Sequence, residues 1–269
     1  MERLYRNRGG YRGETVDPAA LLAACESAGR REGWRIEHMS VAGRDHPLVV
    51  LRRQARRQPT AGPSRRIYLS AGIHGDEPAG PLAVQTLLES GTLPDTHAFW
   101  VVPCLNPAGL AANRRENREN PDGIDLNRDY RHLRSPEVRA HVAWLLQQPS
   151  FDLCFCLHED WEASGFYLYE LNPDDRPSLA PAMLQAVREV CPLDLSPVIE
   201  GRPAHGGLIR PDIRPETRPE WPEAFWLLQQ GHTRWSYTLE APSDYALPVR
   251  VQALTRAVQA ALHALGNAG

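Results

Sequence analysis

The segment from Ser70 to Pro78, SAGIHGDEP, constrains the chain most, because it joins a strand end to two metal-binding side chains. The apolar run at 67–69 predicts a buried strand, and Pro78 suits the first position of a helix. His74 and Glu77 are therefore expected in a tight turn at the carboxyl end of a strand, where open α/β sheets place their ligands. Three residues apart, an imidazole and a carboxylate can bind one cation, and both are zinc ligands. The alternative is a loop His beside a capping Glu.

The order of the predicted elements favours an α/β fold. Apolar runs predict strands near residues 34–41, 47–53, 67–69, 98–102, 152–157, 166–171 and 232–239. Amphipathic or capped segments predict helices near 18–30, 78–89, 136–148, 178–190, 222–230 and 248–265. This alternation predicts one domain over residues 1–269, a three-layer α/β/α arrangement with a mixed, largely parallel central sheet.

Other segments carry local predictions. Residues 1–16 are expected to form an irregular arm, and residues 103–107 and 192–220 are expected to be loops. Asp17 and Ser135 each precede a proline and are the predicted N-caps of the helices that follow. The polar stretch at 111–132 is long for a loop in a compact domain, and loops of that length are often functional.

Composition narrows the possible partners. The net charge of -3 gives no indication of nucleic-acid binding, and no apolar run approaches a membrane span. The 30 basic residues are all Arg, which excludes Schiff-base chemistry and favours bidentate recognition of carboxylates, although Arg-rich codon usage explains most of this bias. Cys154 and Cys156 alternate in one strand and are predicted to be buried thiols. The N-terminus lacks a signal-peptide core, so a cytoplasmic, reduced protein is expected.

Two further side chains follow predicted strands and can complete a hydrolytic site. His158 directly follows the apolar run at 152–157, as His74 nearly follows its own strand. Two close ligands and one distant ligand, with a position open for water, are the pattern of a catalytic zinc site. Glu240 closes the run at 235–239, where it can act as a general base toward a metal-bound water. The alternatives are a structural His and a surface Glu.

The segment at residues 123–128, GIDLNR, is the most specific single signal. Asn127 and Arg128 can hold a carboxylate together, Arg by a bidentate fork and Asn by its amide. Asp125 can accept a hydrogen bond from the spare nitrogen of His74 and fix its tautomer. Upstream, the stretch at 113–118, NRRENR, offers another Arg that can reach a developing oxyanion. The alternative is a solvated charged loop.

The ordered set of motifs resembles the carboxypeptidase A-like zinc peptidases, the M14 group. The motifs are His74-x-x-Glu77, Asn106-Pro107-x-Gly109, Arg115, Asp125-x-Asn127-Arg128, His158 and Glu240. The resemblance spans residues 67–242 and is strongest to the short bacterial members, which include murein tripeptide amidase-like enzymes. Each motif is weak alone, but their common order is specific.

The resemblance implies a function for each of these positions. It implies one zinc ion per chain held by His74, Glu77 and His158, with a water as fourth ligand. It implies that Glu240 deprotonates this water and later protonates the leaving amine. Arg115 is the best match for the Arg that polarises the scissile carbonyl, with Arg114 and Arg118 as alternatives.

The remaining matches concern the substrate. Asn127 and Arg128 match the pair that binds the terminal carboxylate, and Asp125 matches the Asp paired with the first His ligand. The Tyr that caps the substrate in larger members has no counterpart directly upstream of the catalytic Glu, so this position is open, with Tyr167 and Tyr245 as candidates. Which residues line the specificity pocket is also open; the Arg-rich loop at 201–216 is one possibility and a plain surface loop is the other.

Three functions are consistent with these residues. The leading hypothesis is a zinc metallocarboxypeptidase, which hydrolyses an amide bond next to a free carboxylate in a peptide or muropeptide. The second is an N-acyl amino acid amidohydrolase of the related aspartoacylase/succinylglutamate desuccinylase branch, which the sequence EAPS after Leu239 resembles. That branch usually has a β-rich domain after the catalytic Glu, whereas one helix is expected here, which favours the peptidase. The third is a non-catalytic zinc- or peptide-binding module. The substrate's identity and the oligomeric state stay open.

Overall fold

The computed structural model of the chain describes residues 2–6, 13–60, 62–116 and 123–267. Within these residues the strands are β1 (Arg35–Met39), β2 (Leu48–Arg53), β3 (Arg66–Ala71), β4 (Ala98–Val102), β5 (Leu153–Asp160), β6 (Tyr167–Leu171), β7 (Val198–Ile199), β8 (Arg202–His205), β9 (Leu208–Ile209) and β10 (Ser236–Pro242). The α-helices are α1 (Pro18–Arg31), α2 (Ala79–Glu89), α3 (Pro107–Ala112), α4 (Pro136–Leu145), α5 (Ala180–Arg188), α6 (Glu223–Gln229) and α7 (Leu247–Asn267).

The ten strands form one sheet in the order β1-β2-β4-β3-β5-β10-β6-β9-β8-β7. The four central strands, β4, β3, β5 and β10, are parallel to one another. Antiparallel pairs flank them on both sides, between β2 and β4 and between β10 and β6. The mixed sheet with a parallel centre that the sequence predicts is therefore confirmed. Its carboxyl edge at β3, β5 and β10 is where the candidate site lies.

Helices cover both faces of the sheet. On one face, α1, α2, α5 and α7 pack apolar side chains such as Leu87 and Leu254 against Leu69 of β3. On the other face, α4 and α6 contribute Val142 and Trp226 to a second core that contains Tyr68. Adjacent strand residues point to opposite faces, so Tyr68 and Leu69 belong to different cores. The predicted three-layer arrangement is confirmed. In the described part of the chain, no helix has the length and apolar character needed to span a bilayer.

The two capping predictions have different outcomes. Asp17 caps α1, because its Oδ1 atom accepts a hydrogen bond from the Ala19 backbone N–H at 2.9 Å. Ser135 stands before α4, but its hydroxyl donates to Asp129 Oδ2 at 2.8 Å and makes no capping bond. The buried Asp129 carboxylate needs donors, and it takes both the hydroxyl and the backbone N–H of Ser135. Ser135 therefore occupies the predicted N-cap position of α4, but its side chain does not make the capping hydrogen bond.

Several predicted boundaries are wrong. The expected loop at 103–107 ends where α3 begins at Pro107, with Asn106 as its N-cap. The expected loop at 192–220 contains β7, β8 and β9, which extend the sheet beyond β6. Residues 2–6 and 13–16 contain no helix or strand, as expected for an arm, and residues 1 and 7–12 lie outside the described residues.

A buried carboxylate joins the second core to α6. Glu223, the first residue of α6, accepts hydrogen bonds from the hydroxyls of Tyr68 at 2.7 Å and Ser70 at 2.9 Å. No arginine among the described residues pairs with it. Burial raises the pKa of Glu223 to about 7, against the opposing effect of the two hydroxyl donors.

This carboxylate predicts a pH dependence of stability. Folded Glu223 keeps its proton up to about pH 7, whereas the unfolded chain loses it near 4.5, so the folded state binds the extra proton between these values. The free energy of unfolding therefore falls as the pH rises through this window, by up to roughly 1.4 kcal/mol per pH unit from this group. Glu223→Gln is expected to remove that part of the slope in urea unfolding, whereas the exposed Glu162→Gln keeps it. An unchanged slope in Glu223→Gln would contradict the prediction.

Candidate metal centre

His74, Glu77 and His158 converge at the carboxyl edge of the sheet. His74 and Glu77 lie in the turn between β3 and α2, and His158 lies within β5. Each imidazole faces one oxygen of the Glu77 carboxylate: His74 Nδ1 lies 2.5 Å from Oε1, and His158 Nδ1 lies 2.8 Å from Oε2. All three side chains are buried. The structure therefore brings together the three residues that the sequence predicts as metal ligands.

The sheet register explains this convergence. β3 and β5 are parallel neighbours, and Ala71 at the end of β3 pairs with Leu157. His158 is the next residue of β5. It therefore lies level with the point where the chain leaves β3 and enters the turn that carries His74. The turn packs tightly against α3, since a Cβ atom on Gly75 would lie 1.9 Å from the carbonyl carbon of Gly109. Only glycine at position 75 permits this approach of two backbones.

The surrounding charges hold Glu77 in its ionised form. Burial alone would raise the pKa of Glu77, but the two histidines outweigh this effect and hold the pKa well below its usual range. Burial lowers the pKa of His158, and the Glu77 charge only partly opposes it. For His74, Glu77 and Asp125 outweigh burial and raise the pKa to about 9. The site thus contains an ionised carboxylate between two imidazoles.

Asp125 lies behind His74, as the sequence predicts. Its Oδ1 atom is 3.1 Å from His74 Nε2, which leaves Nδ1 directed at Glu77. A carboxylate on the remote nitrogen fixes the ring orientation and increases the basicity of the other nitrogen. Asp125 Oδ1 also accepts the Asn127 backbone N–H at 2.8 Å, and Oδ2 accepts Arg115 Nε at 2.9 Å. This arrangement fits a histidine that binds a metal through Nδ1.

The donor set fits a single divalent ion of the size of zinc. One atom from each of His74, Glu77 and His158 lies within 4.8 Å of the others. Zinc binds imidazole nitrogen and carboxylate oxygen at about 2.0–2.2 Å, so one ion can reach all three donors. Catalytic zinc sites also use three protein ligands, and the three side chains here supply two nitrogens and one oxygen.

Zinc is expected to bind with a stoichiometry of one per chain and to raise the thermal midpoint of the metal-free protein. At 100 times its dissociation constant, a ligand that binds only the folded state stabilises it by about 2.7 kcal/mol. His158→Ala should lose this stabilisation, whereas the exposed His205→Ala should retain it. Metal analysis and calorimetric titration measure both effects. Full zinc affinity in His158→Ala would contradict the assignment.

Glu240 lies beside the ligand set and within β10, not after it as predicted. β10 runs parallel to β5, and Glu240 pairs directly with His158. Paired residues of neighbouring strands share a face, so the carboxylate and the imidazole point to the same side of the sheet. Burial, followed by the charge of Glu77, raises the pKa of Glu240 well above its usual value. A carboxyl group with a raised pKa can both accept and donate a proton near neutral pH.

A cavity of about 500 Å³ opens in front of these residues. Asn127 and Arg128 line it from a short 3-10 turn that spans Leu126–Arg128. Asn127 Oδ1 accepts the Glu223 backbone N–H at 2.9 Å, which holds the start of α6 against this turn. Arg128 is half-exposed, with Nε 3.7 Å from Glu220 Oε2. The predicted carboxylate-binding pair therefore lies in the same cavity as His74, Glu77, His158 and Glu240.

Of the arginines considered for the scissile carbonyl, Arg115 lies at the site. Its Nε donates to Asp125 and its Nη1 donates to Glu77 Oε1 at 3.3 Å. Arg114 is exposed and does not line the cavity, and Arg118 lies outside the described residues. Asn106 braces this region, because its Nδ2 donates to the carbonyls of Ile73 and Arg115 at 3.3 and 3.4 Å.

The two tyrosine candidates for the substrate-capping position lie in different places. Tyr167 lines the cavity, and its hydroxyl donates to Asp160 Oδ2 at 3.0 Å. Tyr245 does not line the cavity, and its hydroxyl donates to the Ser164 carbonyl at 3.2 Å. Tyr245 is thus wrong as a candidate for the capping position. Tyr169, which no sequence pattern indicates, also lines the cavity.

The three arginines of the loop at 201–216 divide between the two alternatives that the sequence left open. Arg202 lines the cavity, whereas Arg210 donates to Glu170 at 2.7 Å and Arg214 donates to Asp212. Arg218, just beyond the loop, lines the cavity as well. The sequence offers no signal for Arg218, because its Pro-rich surroundings have neither strand nor helix periodicity.

Solved structures with a similar fold include three bacterial proteins. A candidate metallopeptidase from Shewanella amazonensis SB2B is 23% identical, with a TM-score of 0.76 over 96% of this chain and 97% of that chain. The metallo-carboxypeptidase of Burkholderia cenocepacia is 19% identical, with a TM-score of 0.63 over 91% of this chain and 67% of that chain. A Pseudomonas aeruginosa metallo-carboxypeptidase in complex with (2-guanidinoethylmercapto)succinic acid is 20% identical, with a TM-score of 0.63 over 93% and 68%. The chain therefore has the fold of the metallo-carboxypeptidases.

A comparison of the sequence with protein-family models also gives a match. Residues 63–195 match the model of the succinylglutamate desuccinylase/aspartoacylase catalytic domain. The matched region contains His74, Glu77 and His158 and ends before Glu240. Curated proteins gave no significant match. The matched segment covers slightly less than half of the chain, and together with the fold it confirms the resemblance to the carboxypeptidases and the aspartoacylase branch that the motifs indicated.

Proposed function

We propose that the chain is a zinc-dependent metallocarboxypeptidase, which hydrolyses an amide bond next to a free carboxylate. The observation that carries the proposal is the single cavity that contains the His74, Glu77 and His158 donors, the Glu240 carboxylate and the Asn127–Arg128 pair. A metal site, a general base and a carboxylate clamp in one cavity are what this hydrolysis requires.

His74, Glu77 and His158 hold the ion in this proposal, and when bound it polarises the scissile carbonyl and lowers the pKa of a water molecule. Glu240 takes the proton of the attacking water and later delivers it to the leaving nitrogen. Its burial beside Glu77 supports this exchange, because a carboxylate with a raised pKa is a stronger base toward water, and the carboxyl group that results can hold the proton near neutral pH until the nitrogen takes it.

Arg115 stabilises the charge that develops on the carbonyl oxygen. Two of its N–H groups are held by Asp125 and Glu77, which fixes the guanidinium plane. A guanidinium has five donors, so others remain for a substrate oxygen. Preorganised donors of this kind contribute large rate effects, because no reorganisation is needed as charge develops.

Asn127 and Arg128 bind the free carboxylate of the substrate. Arg128 donates through Nη1 to the Asn127 carbonyl at 3.0 Å, which orients its guanidinium over the turn. A half-exposed guanidinium at a cavity wall offers the planar pair of donors that a carboxylate accepts. Holding the carboxylate places the neighbouring amide bond toward the metal donors and Glu240.

A second candidate is an N-acyl amino acid amidohydrolase, and the family match favours it. Both reactions cleave an amide on the amino side of a free carboxylate, so they place the same demands on this cavity. They differ in the acyl group, which is a peptide or muropeptide in the first case and a small acid in the second.

A substrate panel on the zinc-loaded protein separates these functions. It contains blocked dipeptides, a γ-glutamyl-diaminopimelate muropeptide and small N-acyl amino acids, with metal analysis of each preparation. Cleavage of the peptides or the muropeptide supports the peptidase, and cleavage of small N-acyl amino acids alone supports the second candidate. Stoichiometric zinc without hydrolysis of any substrate would overturn both and leave a binding module.

A further inference from the structure

The arm formed by residues 2–6 and 13–16 is fixed to the loop that follows β10. Asp244, a buried residue of that loop, accepts hydrogen bonds from several residues of the arm. Its carbonyl accepts the Leu4 backbone N–H at 2.7 Å. Its carboxylate accepts the backbone N–H groups of Tyr5 at 3.0 Å and Arg6 at 2.7 Å, and the Nε of Arg3 at 2.9 Å. The arm contains no helix or strand, yet it has a defined position, because a buried carboxylate needs these donors.

The arm also supplies a carboxylate to a buried arginine of α7. Glu14 Oε2 accepts a hydrogen bond from Arg250 Nη2 at 2.6 Å, and Glu14 Oε1 accepts one from Arg6 Nη2 at 2.9 Å. Arg250 is fully buried, and its other terminal nitrogen, Nη1, bonds to Glu159 of β5. The guanidinium therefore joins a carboxylate of the arm to a carboxylate of β5. Charged hydrogen bonds of this kind are short and directional, so they fix the relative positions of the groups that they join.

Glu159 connects these contacts to the candidate metal ligands. Its backbone N–H donates to Glu77 Oε2 at 3.1 Å, the same oxygen that faces His158 Nδ1. Its side chain accepts hydrogen bonds from the Ala79 backbone N–H at 2.5 Å and from the Ser243 hydroxyl at 3.2 Å. Ala79 begins α2, two residues after Glu77. Glu159 thus holds the Glu77 carboxylate directly, and through Ala79 it also holds the backbone that carries this carboxylate.

We propose that Glu14 of the arm positions the metal ligand Glu77 through this series of contacts. Docking of the arm and binding of the metal ion then stabilise each other, because both require the same arrangement of Glu159. By thermodynamic linkage, the docked arm raises zinc affinity by the same factor by which zinc favours the docked arm. The proposal rests on the metal site of the proposed function and adds a contribution from residues outside the cavity.

The zinc affinity of the folded protein tests this role. Glu14→Gln keeps the size of the side chain and removes the charge that pairs with Arg250, and Asp244→Asn weakens the contacts that hold the arm. Substitutions next to metal ligands cost about 10- to 100-fold in affinity, and we expect about three- to tenfold in both variants because Glu14 and Asp244 lie further from the ion. The exposed Glu2→Gln in the same arm should keep the wild-type affinity. Competition with a chromophoric chelator, at a temperature where circular dichroism shows each variant to be folded, measures the zinc dissociation constants.

The reciprocal effect is measured on the arm itself. Trypsin cleaves after arginine, so cleavage after Arg3 and Arg6, identified by mass spectrometry, reports on release of the arm. Zinc should slow this cleavage by about three- to tenfold in the wild type and have little effect in Glu14→Gln, because the coupling is then lost. A role confined to fold stability would lower the free energy of unfolding of Glu14→Gln and leave its zinc dissociation constant unchanged.

Three outcomes would overturn the proposal. One is an unchanged zinc dissociation constant in Glu14→Gln and Asp244→Asn, and another is a tryptic cleavage rate of the wild-type arm that zinc does not change. The third is an affinity difference that disappears in about 1 M sodium chloride, where the Debye length is about 3 Å, since it would then arise from long-range charge alone. Each of these leaves the proposed function intact, because zinc binding and hydrolysis by the wild type are measured separately. Absence of zinc binding in the wild type would instead overturn the metal site, and this proposal with it.

Discussion

Replacing Glu240 with glutamine is expected to lower kcat by about 10²- to 10⁴-fold while zinc stays bound at one ion per chain. Glutamine has nearly the same shape as glutamate but cannot take a proton from water or return one to the leaving nitrogen. Zinc content should be unchanged, because the three proposed ligands lie on β5 and on the turn after β3, not on β10. Steady-state kinetics on the best substrate of the panel and metal analysis measure the two quantities.

The matched control is Glu162→Gln, which makes the same chemical change at the exposed rim of the cavity. Its effect on kcat should be small, because an exposed carboxylate interacts weakly through solvent. If Glu240→Gln retained full turnover, the assignment of Glu240 as the general base would be wrong. If it lost zinc, Glu240 would belong to the ligand set instead.

The parallel centre of the sheet could be predicted because its physical causes are local. Buried parallel strands need continuous apolar runs, and 67–69, 98–102 and 152–157 are such runs. Neighbouring parallel strands end at the same edge of the sheet, and this brings His158 near His74. The sequence did not show where β5 and β10 end. Both strands continue through polar residues, because His158 and Glu240 pair in the ladder while their side chains face the cavity.

The walls of the cavity were less predictable, because they depend on contacts between distant segments. β7 and β9 are two residues long, and such strands exist only because β6 supplies an edge that β9 can extend. Arg202 reaches the cavity through that extension. The positions of Glu223 and Arg218 depend on how α6 packs against β3 and the 3-10 turn at Leu126–Arg128. Periodicity within a single segment does not encode such packing.

Behind the candidate metal site, a buried ion cluster joins β5 to α7. Glu159 follows His158, so it points to the opposite face of the sheet. There it bonds to Arg250 Nη1, while its Oε1 accepts the Ala79 backbone N–H at 2.5 Å at the start of α2. Both side chains of the Glu159–Arg250 pair are fully buried, and Arg250 Nη2 also donates to Glu14 at 2.6 Å. The Glu159 backbone N–H donates to Glu77 Oε2 at 3.1 Å, which couples this cluster to the site.

Arg250→Met is therefore expected to destabilise the folded protein by about 3–5 kcal/mol, because it leaves the Glu159 carboxylate buried without its cation. Burial already raises the pKa of Glu159, and Arg250 is the main charge that opposes this. Urea unfolding of the zinc-loaded protein measures the loss. Adding Glu159→Gln to Arg250→Met should recover part of the lost stability, because it removes the uncompensated charge. If the two substitutions acted independently, their destabilising effects would add instead. A loss below about 1 kcal/mol in Arg250→Met would show that water or other groups compensate the carboxylate, and that the cluster does not hold α7 against β5 and α2.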